Sequence, residues 1–184
     1  MRRITLLLTC LALGAAGQIS LPQIGFVRDL AGSLRPVFGV AGAFMVGEPV
    51  LAGVVSAASS GAYAVASTGS EIVVVTGNEI VWRREAPDSA VEAFGFGAGG
   101  RPEWVRFVNG TCLVWPSKGE PKMASFCKNE APSRMQLSSR LPDRVEGEPE
   151  TFAPGWLVLR SATRVYLVRT GPDETIYELP EAAQ

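Results

Sequence analysis

Hairpin signals at a near-regular spacing constrain this 184-residue chain more than any other feature. Short runs rich in β-branched and aromatic residues ("EIVVV", "NEIVW", "EWVRFV", "TCLVW", "WLVLR", "RVYLV", "TIYEL") are each bounded by Gly, Asn, Asp or Pro, the pattern of short strands. Four of the connections read as pivots: "GFVRDLAGSLRPVFG" at Gly32, "AYAVASTGSEIVVV" at Gly69, "FVNGTCLVW" at Asn109-Gly110 and "WLVLRSATRVYLV" near Ala162. The steps between them (69 − 32, 110 − 69, 162 − 110) are 37, 41 and 52 residues, the longest containing the acidic stretch Arg144 to Glu150. Asn-Gly is a preferred pair for a two-residue turn with positive φ at both central positions, and Asn109-Gly110 is expected to form one.

A further strand follows each of the last three pivots ("NEIVW", "KMASFC", "TIYEL"), and a candidate strand precedes each ("LAGVVSA", "AVEAFGFG", "SRMQLSS"). Four antiparallel strands at a period near 40 make the unit of a β-propeller. The expected fold is therefore all-β, a propeller-like array of about four antiparallel sheet units, with a first unit lacking its inner strand. Such an array closes as a compact ring, completes itself as a homo-oligomer if the ring is incomplete, or is a shortened relative of longer propellers. A non-repeating sandwich or barrel is the competing architecture. No run carries a sustained helical stripe, and 20 Gly and 13 Pro oppose long helices.

The third unit, Val91 to Trp115, carries an apolar strand ending in a Gly-containing turn (Gly95, Gly97, Gly99, Gly100), then Asn109-Gly110, then a strand closing on Trp115. In this it resembles the bacterial WD40-like and TolB-like β-propeller repeats, with the flanking units matching loosely. Two departures stand out: Pro116 occupies the place where Asp commonly follows the Trp, and no Gly-His pair exists. The resemblance implies a scaffold that serves as an interaction platform.

The N-terminus, Met1-Arg2-Arg3 followed by "ITLLLTCLALGAAG", has the basic, apolar and small-residue regions of a secretory signal. It is expected to occupy residues 1–17, with the propeller-like domain over 18–184. The apolar run is shorter than the roughly 20 residues of a spanning helix. Cys10 suggests a lipoprotein site, but Thr9 and the continuing apolar run oppose it. The expected location is secreted or periplasmic, with no membrane association after signal cleavage. Loss of Arg2 and Arg3 takes the 17 basic and 18 acidic residues to 15 and 18, a charge near −3, which does not favour nucleic acid. The apolar runs "FGVAGAFMVG" and "PVLAGVVSAAS" are interrupted by Gly, Glu48 and Pro49 and read as buried strands.

Two cysteines remain after cleavage, Cys112 and Cys127. If the 116–121 connection is symmetric, Trp115 faces Ala124 and Cys112 faces Cys127 across a hairpin, close enough for a disulfide; two buried free thiols are the alternative.

Chemistry is constrained by what the chain lacks. With no histidine, it forms neither a Ser-His-Asp triad, nor a Cys-His pair, nor a histidine metal site. "GFGAGG" lies between strands and reads as a strand and turn, not a dinucleotide loop. No cofactor or metal site is expected, and Glu146, Glu148 and Glu150 read as a solvated acidic loop without the alternating ligands of a calcium site. Carboxylate pairs are the remaining catalytic route, with Asp29, Glu71, Glu79, Asp88, Glu92 and Glu103 at strand ends or turns.

The leading expectation is a secreted or periplasmic non-enzymatic binding module that engages a protein or other ligand on its loop face. Trp82, Arg83, Arg101 and Trp104 are the candidate ligand-face residues. The alternatives are a carboxylate-dependent carbohydrate hydrolase or lyase, and a shortened propeller paralogue without independent function. A buried acid pair opening into a cleft favours the enzyme; an aromatic and arginine face favours binding.

Overall fold

A computed structural model describes residues 21–125, 127, 149–153 and 155–180. The signal-like segment and the run "SRMQLSS" lie outside the described residues. Four antiparallel meanders form a ring, the arrangement of a four-bladed propeller. Blade 1 comprises β1 (Gln23–Arg28), β2 (Leu34–Val40) and β3 (Ala43–Val46). Blade 2 comprises β4 (Ser56–Ser60), β5 (Tyr63–Ser67), β6 (Glu71–Thr76) and β7 (Glu79–Glu85). Blade 3 has β8 (Val91–Phe96), β9 (Pro102–Phe107), β10 (Cys112–Val114) and β11 (Lys122–Ala124), and blade 4 has β12 (Glu150–Ala153), β13 (Trp156–Arg160), β14 (Val165–Arg169) and β15 (Thr175–Glu178). The sole helical element among the described residues is a 3-10 turn, Ala98–Gly100, so "GFGAGG" is a strand and turn as expected.

The centres of the middle strands of blade 2, "AVA" in β5 and "IVVV" in β6, are apolar without interruption because that blade buries both faces. On β5 and β6, Ala64, Ala66, Val73 and Val75 pack against Phe26 and Leu34 of blade 1. The alternate residues Val65, Ile72 and Val74 pack against Val105, Phe107 and Leu113 of blade 3. Val27 and Val37 of blade 1 meet Phe152, Val158 and Leu167 of blade 4, which closes the ring between the first and last blades. Period-two alternation thus places one set of side chains in each inter-blade layer.

The centre is narrow, and small residues fill it. β4, read "SAASS", lies against β1, β8 and β12. Ser59, 1% exposed, joins three blades. Its Oγ accepts from the Phe26 amide at 3.2 Å and donates to the Phe152 carbonyl at 2.6 Å, with the Phe26 carbonyl also at 3.2 Å. The Phe152 ring covers Gly25, where an added Cβ would stand 2.6 Å from the ring.

Blade 1 runs against the pattern of the others. The Gly32 carbonyl accepts from the Val54 amide just before β4, and Arg28, ending β1, bonds Glu150, beginning β12. β1 therefore ends at the rim where β4 and β12 begin, and runs antiparallel to both. It corresponds to the second strand of a blade, and no innermost strand precedes it among the described residues. On this reading Gly32, Gly69, Gly110 and Ala162 are equivalent corners of their blades. The Ser59 hydroxyl and the Arg160 guanidinium, which donates to the Arg28 carbonyl at 2.9 Å, occupy backbone groups of β1 that a first strand would otherwise pair.

Several local expectations are corrected. The hairpin at Asn109-Gly110 is a three-residue loop, Val108 to Gly110. The Phe107 amide donates to the Thr111 carbonyl and the Gly110 amide to the Phe107 carbonyl. Only Gly110 has positive φ, 83°, because Asn109 instead accepts through Oδ1 from the Thr111 amide and hydroxyl. Cys112 lies opposite Ala124, not Cys127, and Val114 opposite Lys122. The disulfide forms nonetheless, with Cα atoms 5.5 Å apart, because the chain bends after Ala124 and returns Cys127 toward β10. Among the described residues, blade 4 begins with β12, at the end of the acidic stretch. In "LAGVVSA" the strand begins only at Ser56, while Leu51 makes an isolated bridge to Leu34. "FGVAGAFMVG" is not buried throughout: Val40 is 59% and Met45 55% exposed.

Candidate functional site

An open cleft of about 540 Å³ separates the outer strands of blades 1 and 4, lined by Ala43, Phe44, Ile176, Tyr177, Glu178 and Pro180 among others. Its walls follow from the hairpins on either side. The turn after Val40 brings β3 back along β2, with Phe44 opposite Gly39. β15 returns along β14 with Tyr177 opposite Leu167. Both Phe44 and Tyr177 pack on the layer that closes the ring, where they join Trp156. Phe44 meets Tyr177 at 5.2 Å and 84° and Trp156 at 6.0 Å and 89°, while Trp156 and Tyr177 are 5.8 Å apart at 34°. The two edge-to-face contacts add about 0.5–1.5 kcal/mol each beyond the burial of the rings, which favours this arrangement of the wall.

Glu178 is the carboxylate in the cleft lining. It accepts from Arg164 at 2.6 Å across the β14–β15 pair. That hydrogen bond, and then the negative charge of Glu178, raise the Arg164 pKa further above its ordinary value. The charge at this rim is therefore a solvent-exposed ion pair.

A second polar cluster lies where the turn rim meets blades 1 and 4. Arg160 and Arg28 both bond Glu150, whose Oε2 lies 2.6 Å from Arg160 Nη2. Glu150 is thus a half-buried partner of two guanidinium groups, not a solvated loop charge. With β1 and β12 also joined through Ser59, this cluster acts as a clamp between the first and last blades.

The residues picked from the sequence are dispersed. Trp82 on β7 packs against Trp115 of blade 3 at 5.3 Å and 70°, within the layer between those blades. Arg83 is exposed and 3.9 Å from Glu71. Arg101 is exposed beside the 3-10 turn, its carbonyl accepting from Gly97. Trp104 is 6% exposed; its indole covers Gly95, and Arg106 stands 5.8 Å from its ring centroid. Trp82 faces the layer between blades 2 and 3, and Trp104, by strand alternation, faces away from it, so the four do not make one surface.

Of the candidate acids, Asp29 accepts from Arg35 and the Ser33 amide, Glu71 lies near Arg83, and Glu92 pairs with Arg106. Among the described residues no three Cys, Asp or Glu side chains gather as a metal site.

The aromatic wall was missed because its three members come from strands 112 residues apart (156 − 44). The one local hint is the aromatic residue at an inward position in each strand. No family model, no curated protein and no solved structure matches the chain.

Proposed function

We propose that the protein is an exported binding module, without turnover, that takes up an apolar or aromatic group of its ligand in the cleft between blades 1 and 4. One observation carries the reading: an open cleft of about 540 Å³ whose wall includes Phe44 and Tyr177 from an interlocked aromatic cluster. Recognition by preformed side chains on a rigid scaffold needs no catalytic group. The carboxylate-hydrolase alternative gains less support, since the acid lining the cleft is bound to an arginine and, among the described residues, no second acid lines it. Export rests on the signal-like N-terminus and on the Cys112–Cys127 bond, which suits an oxidising compartment. The repeat-level resemblance to bacterial WD40-like and TolB-like proteins agrees with a platform role.

The test is a fragment screen of aromatic, aliphatic and sugar compounds followed by amide chemical shifts. Hits mapping to Phe44, Ile176 and Tyr177, and lost in Tyr177→Ala, support the reading. Hits confined to another surface, or glycan cleavage abolished by replacing a carboxylate, refute it.

A further inference from the structure

The outer strands of the four blades differ in one respect. β7 carries Glu79, Arg83, Arg84 and Glu85, β11 carries Lys122, and β15 carries Glu178; β3, "AFMV", carries no charge. Charged residues on an edge discourage pairing with another chain, and β3 has none. Because the Gly47 amide donates to the Pro36 carbonyl, Ala43 and Met45 direct their backbone groups at β2. By alternation, Phe44 and Val46 direct theirs outward. This edge offers four backbone groups, and Met45 and Val40 beside it are more than half exposed.

We propose that β3 is a self-pairing edge, through which two copies of the protein join blade 1 to blade 1 as a symmetric dimer. Two identical antiparallel strands are related by a two-fold axis normal to the sheet. That axis restricts the register to residues whose numbers add to an even value. Only the register centred on Met45 uses all four outward groups. Phe44 then exchanges two hydrogen bonds with Val46 of the second copy, and Val46 two with its Phe44. Each of these is an aromatic–β-branched pair, which sheets favour. Met45 meets its own copy on the opposite face as a close, non-hydrogen-bonded pair, and no charge opposes a like charge. The same operation on β7, centred on Trp82, would set Glu79 against Glu85 of the other copy. The inference stands whether or not the cleft binds a ligand.

A four-residue edge covers less than the roughly 1,200 Å² of the smallest standard interfaces, so the dimer is expected to be weak and reversible. Sedimentation of the exported protein over rising concentration should show a monomer–dimer equilibrium. Met45→Lys, which sets like charges opposite one another on an exposed position, should weaken it at least about tenfold. Under a glutathione redox buffer Met45→Cys should form a reducible covalent dimer. Ala43→Cys should not, since in this register its two copies lie about 13 Å apart. A protein still monomeric at about 1 mM, where even a binding free energy of about 4 kcal/mol would register, overturns the proposal. So does a dimer indifferent to Met45→Lys, or one that cross-links equally at Ala43.

Discussion

Replacing Ser59 by Ala removes a single oxygen, yet the ring should respond strongly. The hydroxyl is buried where three blades meet and serves the Phe26 amide at 3.2 Å and the Phe152 carbonyl at 2.6 Å. Blades 1, 2 and 4 are thereby linked through one side chain. Alanine leaves one donor and one acceptor unpaired in a position that is 1% exposed. Each orphaned buried group costs about 1–3 kcal/mol, so the variant should lose about 2–6 kcal/mol. For a domain of this size that corresponds to a fall in Tm of about 4–24 °C. Urea titration followed by tryptophan emission and by circular dichroism gives the number, with the slope m unchanged if both states keep their compactness. Ser56→Ala, at the partly exposed start of the same strand, should change stability by less than about 0.5 kcal/mol. If Ser59→Ala also costs less than about 0.5 kcal/mol, the centre is wet or the blades do not meet there, and the account of closure is wrong.

Three further outcomes follow from the same packing. Gly95→Ala should be severely destabilising and shift Trp104 emission, because an added Cβ would fall 2.1 Å from indole Cε2 and the ring has to leave its seat. Cys112→Ala should cost about 3 kcal/mol, the loop entropy expected for a 15-residue separation. Intact mass of the unreduced wild-type protein should show no free thiol at Cys112 or Cys127. Glu150→Gln removes the negative charge facing Arg28 and Arg160 and leaves one accepting oxygen in place of two, and should lower stability by about 1–2 kcal/mol in dilute buffer after allowance for partial exposure. Added salt should shrink the difference between the variant and wild type.

What the sequence revealed and what it hid have physical causes. The blades were legible because a strand buried on both faces must be apolar along its length, as "EIVVV" and "WLVLR" are, and must turn sharply at Gly or polar residues. The register across residues 115–121 was not legible. A connection containing Pro116 and Pro121 does not dictate where the ladder resumes, and the disulfide was reached by a bend rather than by direct opposition. Glu150 looked like the last of several solvated acids, because its partner Arg28 lies 122 residues away. β3 looked buried because an uncharged apolar run carries no mark distinguishing an edge from a centre. Trp82 and Trp104 looked alike in sequence, and only the alternation of their strands separates their surroundings.

The claim that the first and last blades meet at a filled centre is tested most directly by nuclear Overhauser contacts between Gly25 and the Phe152 ring. The account predicts strong contacts and Gly25 Hα resonances displaced by the ring current of Phe152. Random-coil Gly25 shifts, with no contact to Phe152, would contradict it.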